Sequence, residues 1–247
     1  MNNLQLPLIF GILISVGCHS GKLLNRTEIN NSVLYQESIT NSMSPDLNKI
    51  FKNLVAITPE NNDLVWKNIE GEAYILVVSW KQNISYYKPY IGSTYNTGKY
   101  PIWVTTAPEL LQRMKKQKAK DSDLRLKQLL GLPPNSTYSY FVEFWVRPED
   151  LFRPCPDNEV TDSQCELCFP EQADSSYVSW LNDNRISRYY QCELYEKYPW
   201  TQLGYTYDWN AANKTHIGLS EFVIGNDKNI IVEAVYTTDD YLKKGQL

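Results

Sequence analysis

The chain reads as an α+β protein: a single domain with a largely antiparallel sheet, flanking helices and a C-terminal β-hairpin. Three observations lead there. Strand-like runs stand at 73–80 and 138–146, the first continuously apolar and the second dense in aromatic and β-branched residues. Between and after them lie segments with helical spacing and capping residues. The chain then closes on two strand-like runs, 217–224 and 230–236, around Gly225-Asn226-Asp227-Lys228-Asn229. Strands and helices mixed without a repeating strand–helix–strand rhythm favour antiparallel pairing over a parallel sheet.

Residues 45–57 predict a helix, because Ser44 can cap, Pro45 suits a first turn, and Leu47, Ile50, Phe51 and Leu54 share one face. The run 73–80, Ala-Tyr-Ile-Leu-Val-Val-Ser-Trp, predicts a central strand covered on both faces, since neither set of alternate positions is polar. Residues 100–105 predict a second strand. Thr106 then caps a helix with Pro108 and Glu109 in its first turn, running to about Lys118. A short helix over 121–130 stops at Gly131 and Pro133-Pro134. After the strand at 138–146, the prolines, acids and three cysteines of 147–170 predict an irregular loop held by covalent bonds. Residues 175–195 read as helical, and the closing hairpin follows.

Composition narrows the class of function. Apolar residues make up 43% and charged residues 21%, ordinary for a globular domain with a real core. Net charge is −4, and the lysine-rich stretch 113–120 is local, so no basic stripe points to nucleic acid. Eleven glycines are scattered without a phosphate-cradling loop, and there is no Gly-x-Ser-x-Gly elbow. Neither a cofactor nor a metal set is expected.

The first seventeen residues are uncharged, and the apolar run from Leu6 to Val16 ends at Gly17-Cys18. At about 1.5 Å of rise per residue, a helix of that length covers about half a bilayer core, which suits a secretory signal rather than a span. Ser15-Val16-Gly17-Cys18 resembles the lipobox of bacterial lipoproteins, with Gly17 as the small residue before the cut. That resemblance implies cleavage after residue 17, acylation of Cys18 and a membrane anchor in the cell envelope. The alternative is an ordinary cleaved signal near Gly17 or Gly21 that releases a soluble secreted protein. Residues 18–45, rich in Asn, Ser and Thr, are expected to form a lipidated cysteine and flexible tether, leaving 46–247 as the domain.

With Cys18 assigned to a lipid, four cysteines remain: Cys155, Cys165, Cys168 and Cys192. In an exported chain an even number reads first as two disulfides. Cys155–Cys165 with Cys168–Cys192 closes two separate loops and avoids bridging the close pair. Zinc ligation and a redox Cys-x-x-Cys at 165–168 are the competing readings.

Candidate chemistry gathers near the C-terminus. Glu221 alternates with Leu219 and Val223 on an apolar strand face, and Glu143 shares a side with Phe141 and Trp145. A carboxylate in such a place must pair, protonate or line a cavity. Glu143 is expected on a partly exposed sheet face. The segment 199–209 carries Trp200, Tyr205, Tyr207 and Trp209 beside Asp208, a composition that can hold a sugar ring or heterocycle. His216, at the head of a strand, could join Asp208 and Glu221. Two main functional readings result, beside a third in which the domain has a purely structural or interaction role in an assembly, with no small-molecule cleft. The first is a membrane-anchored envelope protein whose domain binds a ligand, with a glycan or a protein as possible partner. The second is an acid–base hydrolase or glycosyl-group transferase using Glu221 and Asp208 in an aromatic-lined cleft.

Overall fold

A computed structural model describes residues 26–189 and 197–244. The expected signal, Cys18, His19 and Cys192 lie outside the described residues. Within them the fold is α+β, as the sequence predicts, and its sheet is antiparallel throughout its ladders. No described helix is long and apolar enough to cross a membrane.

The element order begins with α1 (Arg26–Ser42), β1 (Trp66–Ile69), β2 (Glu72–Lys81), β3 (Thr94–Asn96) and β4 (Ile102–Thr106). Helices α2 (Ala107–Gln117) and α3 (Ser122–Leu129) lead to β5 (Tyr140–Val146) and the two-residue β6 (Leu151–Phe152). After α4 (Ser175–Tyr189) come β7 (Tyr205–Tyr207), β8 (Ile217–Ser220), β9 (Phe222–Ile224), β10 (Asn229–Thr237) and α5 (Thr238–Lys244). The main sheet runs β3-β10-β5-β2-β4-β9-β6, with β1 also paired to β2.

The continuous apolar run of β2 is explained by its central place. Ile75 and Val77 face one core, with Val104, Val142, Phe144, Phe222 and Val232. Leu76, Val78 and Trp80 face the opposite core, which α2, α3 and α5 cover through Leu110, Leu126, Leu129 and Tyr241. Because successive strand residues point to opposite faces, burial on both sides makes the run apolar from Ile75 to Val78, and the one polar residue between it and Lys81, Ser79, is buried with its hydroxyl donating to Trp103 O at 2.8 Å. The start of α3 is also legible: the Asp121 side chain accepts from the Leu124 backbone N–H, satisfying a donor that the helix itself leaves unpaired.

Three expectations are corrected. Residues 26–42 are not a tether but α1, because Tyr35 and Ile39, one turn apart, pack on Tyr207 and Trp209. Tyr35 meets Trp209 edge-on at 6.0 Å, and its hydroxyl donates to the Lys197 carbonyl at 3.1 Å. The helix expected over 45–57 is only a 3-10 turn, Leu47–Lys49. Beyond it the backbone is extended and bound elsewhere: Leu54 N–H to Ser163 O, Ile57 N–H to Val160 O, Val55 N–H to the Ser220 hydroxyl. Those long-range bonds bury Leu54 and Ile57 singly and outweigh a modest helical stripe.

The third correction concerns strand pairing at the C-terminus. Strands form where expected and are joined by a short hairpin-like connection, but β9 bonds to β4 and β6 while β10 bonds to β3 and β5. The connection itself redirects the chain. Gly225 N–H donates to Asp150 O, the Thr97 hydroxyl donates to Gly225 O, and Asp227 N–H donates to Gly98 O. Residues 217–224 also divide, β8 pairing with β7 beside the main sheet.

The irregular segment 147–170 is pinned as expected by a disulfide, Cys155–Cys165, with Cα atoms 6.3 Å apart. Its other organiser is Arg153, whose fully buried guanidinium donates to the carbonyls of Val55, Glu159, Val160 and Asp162. Cys168 carries a free, exposed thiol, so the second expected bridge is not formed at that residue.

Candidate functional site

Adjacent β4 and β9 place Trp103 beside Val223 and Val104 beside Phe222, so Glu221 stands just before β9 at the edge of a hollow. Its backbone N–H donates to Gly204 O at 2.8 Å, tying it to the loop before β7. The hollow is a cavity of about 550 Å³. Its walls come from β2 (Val78, Trp80, Lys81), β4 (Trp103, Thr105), Leu110 of α2, residues 130–132, Tyr138, Arg188 of α4, residues 198–200 and β7. That volume lies within the range of small-ligand sites, and the lining is of the same kind: mostly apolar and aromatic, with few polar groups.

Glu221 is the one carboxylate among the described lining residues. Burial pushes its carboxyl up to about 7, with the Arg188 charge pulling the other way. Lys81 closes the apolar run of β2 at the cavity's margin, and burial pushes its ammonium down to about 8. Its Nζ sits 5.8 Å from the Tyr87 ring centre. The Arg188 guanidinium lies over Trp103 at 4.7 Å, with the rings of Tyr198 and Trp200 at 5.5 and 5.7 Å. Burial also lowers the Arg188 pKa. Trp103 is itself braced, stacked on Trp180 at 6.1 Å and edge-on to Trp200 at 6.0 Å.

Beneath Glu221, Glu109 of α2 accepts from the Ser220 N–H at 3.1 Å and from the hydroxyls of Ser220 and Thr105. Burial raises its pKa, opposed by the Ser220 backbone bond and the Arg113 charge. Arg113 in turn donates to the carbonyls of Ile217 and Gly218. These bonds hold the β8–β9 junction, and so Glu221, against α2.

Of the residues singled out from sequence, the structure brings Glu221, Trp200 and Tyr207 to the cavity. Tyr207 contributes to the wall while its ring stacks on His216, 4.8 Å away. The other aromatics are structural. Tyr205 packs edge-on against Phe51 and donates its hydroxyl to Lys49 O. Trp209 is buried against Tyr35 and donates its indole N–H to the carbonyls of Lys127 and Leu132.

Asp208 does not join Glu221. It is fully buried in a two-pronged pair with Arg125, at 2.9 Å from Nη1 to Oδ1, and also accepts from the Asn210 N–H and the Asn213 side chain. With its acceptor sites filled it is a fastening between α3 and the loop after β7. His216 lies outside the cavity lining, its Nδ1 3.0 Å from the Asp208 carbonyl. Glu143, expected on a partly exposed face, is buried and bound by Lys244 Nζ at 2.7 and 2.8 Å, which docks α5 on β5.

Sequence reasoning missed Lys81, Trp103 and Arg188. The one sequence signal was Lys81, a cation closing an unbroken apolar strand. Arg188 and Trp103 lie on elements far apart in the chain and meet only on folding. Among the described residues no group of three or more His, Cys, Asp or Glu side chains is placed to hold a metal ion. Comparison with protein-family models, curated proteins and solved structures found no match to this chain.

Proposed function

We propose that this chain is an exported envelope protein, lipid-anchored through Cys18, whose α+β domain binds a small ring-bearing ligand in the aromatic cavity. The observation that carries the binding reading is the cavity itself. A space of about 550 Å³ is walled by three tryptophans, and a few charged groups stand along its margin without filling it. Tryptophan faces supply large apolar area and stacking surfaces, and the polar groups orient what stacks there. Support for export comes from the uncharged apolar leader ending at Cys18 and from the Cys155–Cys165 bridge, a bond typical of oxidising compartments.

The hydrolase reading required two carboxylates flanking one substrate bond. Asp208 is committed to Arg125, and Glu221 has no second carboxylate beside it on the described cavity wall. Ligand binding therefore takes precedence over acid–base catalysis.

The neutral fluorophore N-phenyl-1-naphthylamine tests the cavity. Saturable one-to-one binding is expected, weakened at least tenfold by Leu132→Trp, which fills the space, and by Trp200→Ala. Absence of saturable binding, or unchanged affinity in both folded variants, overturns the reading. For the anchor, mass spectrometry of the mature N-terminus is expected to show an acylated Cys18. A free thiol there rejects lipidation.

A further inference from the structure

Three buried polar atoms on the cavity wall have no hydrogen-bond partner: Arg188 Nε, Trp200 Nε1 and Glu221 Oε2. Buried polar groups are nearly always paired, because an unpaired one keeps its full desolvation penalty. Three on one wall mark a place where something else completes the bonding. Two of them, the guanidinium and indole N–H groups, can only donate. What fits between them must accept.

Charge points the same way. None of the ion pairs among the described residues involves Arg188 or Lys81. Two cations and a single carboxyl group therefore line a largely apolar cavity. The Arg188 guanidinium is held in plane by the Trp103 face and the flanking rings of Tyr198 and Trp200. An arginine fixed in this way presents a rigid fork matched to a planar, two-oxygen acceptor.

We infer that the cavity takes a ring-bearing organic carboxylate, its carboxylate docked on Arg188 and the Trp200 indole N–H and its ring against Val78, Leu110 and Leu132. This rests on the ligand-binding reading above and names the chemical class of the ligand. Glu221 fits the assignment because burial raises its pKa, which brings the protonated form, able to donate to a carboxylate oxygen, within reach near neutral pH. A phosphate dianion fits less well. Phosphate sites usually gather several backbone N–H groups from a glycine-rich turn or helix start, and this wall supplies two side-chain donors and a carboxyl group.

Calorimetric titration of the full chain with 2-naphthoate, 2-naphthamide and 2-naphthyl phosphate tests the assignment. The amide keeps the ring and shape but removes the charge. The expected result is naphthoate at least tenfold tighter than naphthamide and tighter than the phosphate. Arg188→Met is expected to abolish the preference for the acid, the affinities of naphthoate and naphthamide for the folded variant converging to within about threefold of each other. Lys81→Met is expected to weaken naphthoate more than naphthamide, and it serves as the charge variant should Arg188→Met fail to fold. Equal affinity for acid and amide in the wild type overturns the anion assignment and leaves a ligand cavity standing. Tighter binding of the phosphate overturns the choice of carboxylate. Binding of none of the three overturns both the assignment and the cavity reading beneath it.

Discussion

Glu221 shows how one side chain's surroundings reach the stability of the whole domain. Its carboxyl is raised from 4.5 to about 7 by burial, against the pull of Arg188. A group whose folded pKa lies above its unfolded value favours the folded state most below the unfolded pKa. That contribution is lost as the pH climbs through about 7. Wild-type stability relative to Glu221→Gln is therefore expected to fall between about pH 4.5 and pH 8, by up to ~3 kcal/mol, in urea unfolding followed by circular dichroism. Parallel pH curves for the two proteins would remove Glu221 from a buried setting. Lys81 acts with the opposite sign at higher pH. Its folded pKa of about 8 lies below the ordinary 10.5, so its contribution to stability grows as the pH rises across that interval. Asp208 is a different kind of buried acid. Asp208→Ala strands Arg125 and is expected to cost about 3–5 kcal/mol, while N-phenyl-1-naphthylamine binding to the folded variant stays within about threefold. A large loss of probe affinity in that variant would return Asp208 to the ligand site.

At the scale of elements, α1 separates composition from structure most clearly. Its sequence, rich in Asn and Ser, reads as a tether, yet Tyr35 and Ile39 supply a narrow stripe that fits the Tyr207–Trp209 surface. A helix with so few apolar residues is stable through docking rather than through intrinsic propensity. Tyr35→Ala is expected to cost about 3–5 kcal/mol and to shift the Trp209 emission to the red as α1 lifts away. Unchanged stability would return 26–42 to the tether reading. The β7–β8 pair is similarly dependent on contact. A side chain at Gly218 would place its Cβ 2.2 Å from the Thr206 hydroxyl and 2.4 Å from the Thr206 carbonyl. That close approach lets the Thr206 hydroxyl donate to Leu129 O while accepting from the Leu219 N–H, binding β7 and β8 to the end of α3.

Across the whole molecule, the cavity lies where α2, the 130–132 turn, α4 and the chain around β7 meet over β2 and β4 without filling the space between them. Binding only to the folded state stabilises it by mass action, about 2.7 kcal/mol at one hundred times the dissociation constant. For a domain of this size, that corresponds to a rise in Tm of about 5–10 °C. 2-Naphthoate at that excess is expected to produce this shift in the wild type and a much smaller one in Arg188→Met, read by differential scanning calorimetry. Equal shifts in the two proteins would place the acid somewhere other than beside Arg188.

By itself the sequence determined the fold class and most of the elements, because these follow from local periodicity and capping. The double-faced apolar run of β2, the Asp121 cap of α3, the aromatic strand β5 and the cysteine-pinned loop after it are all of that kind. Glu221 and Trp200 were legible as candidates, since a carboxylate on an apolar strand and a dense aromatic segment stand out without any partner in view. Tertiary structure alone decided which strands pair, that 26–42 docks as a helix, that Asp208 belongs to Arg125, and that Arg188, Lys81 and Trp103 share a wall with Glu221. Each of those outcomes depends on contacts between residues tens to more than a hundred positions apart. Local spacing carries no record of such contacts, because their energy exists only once the chain has closed on itself.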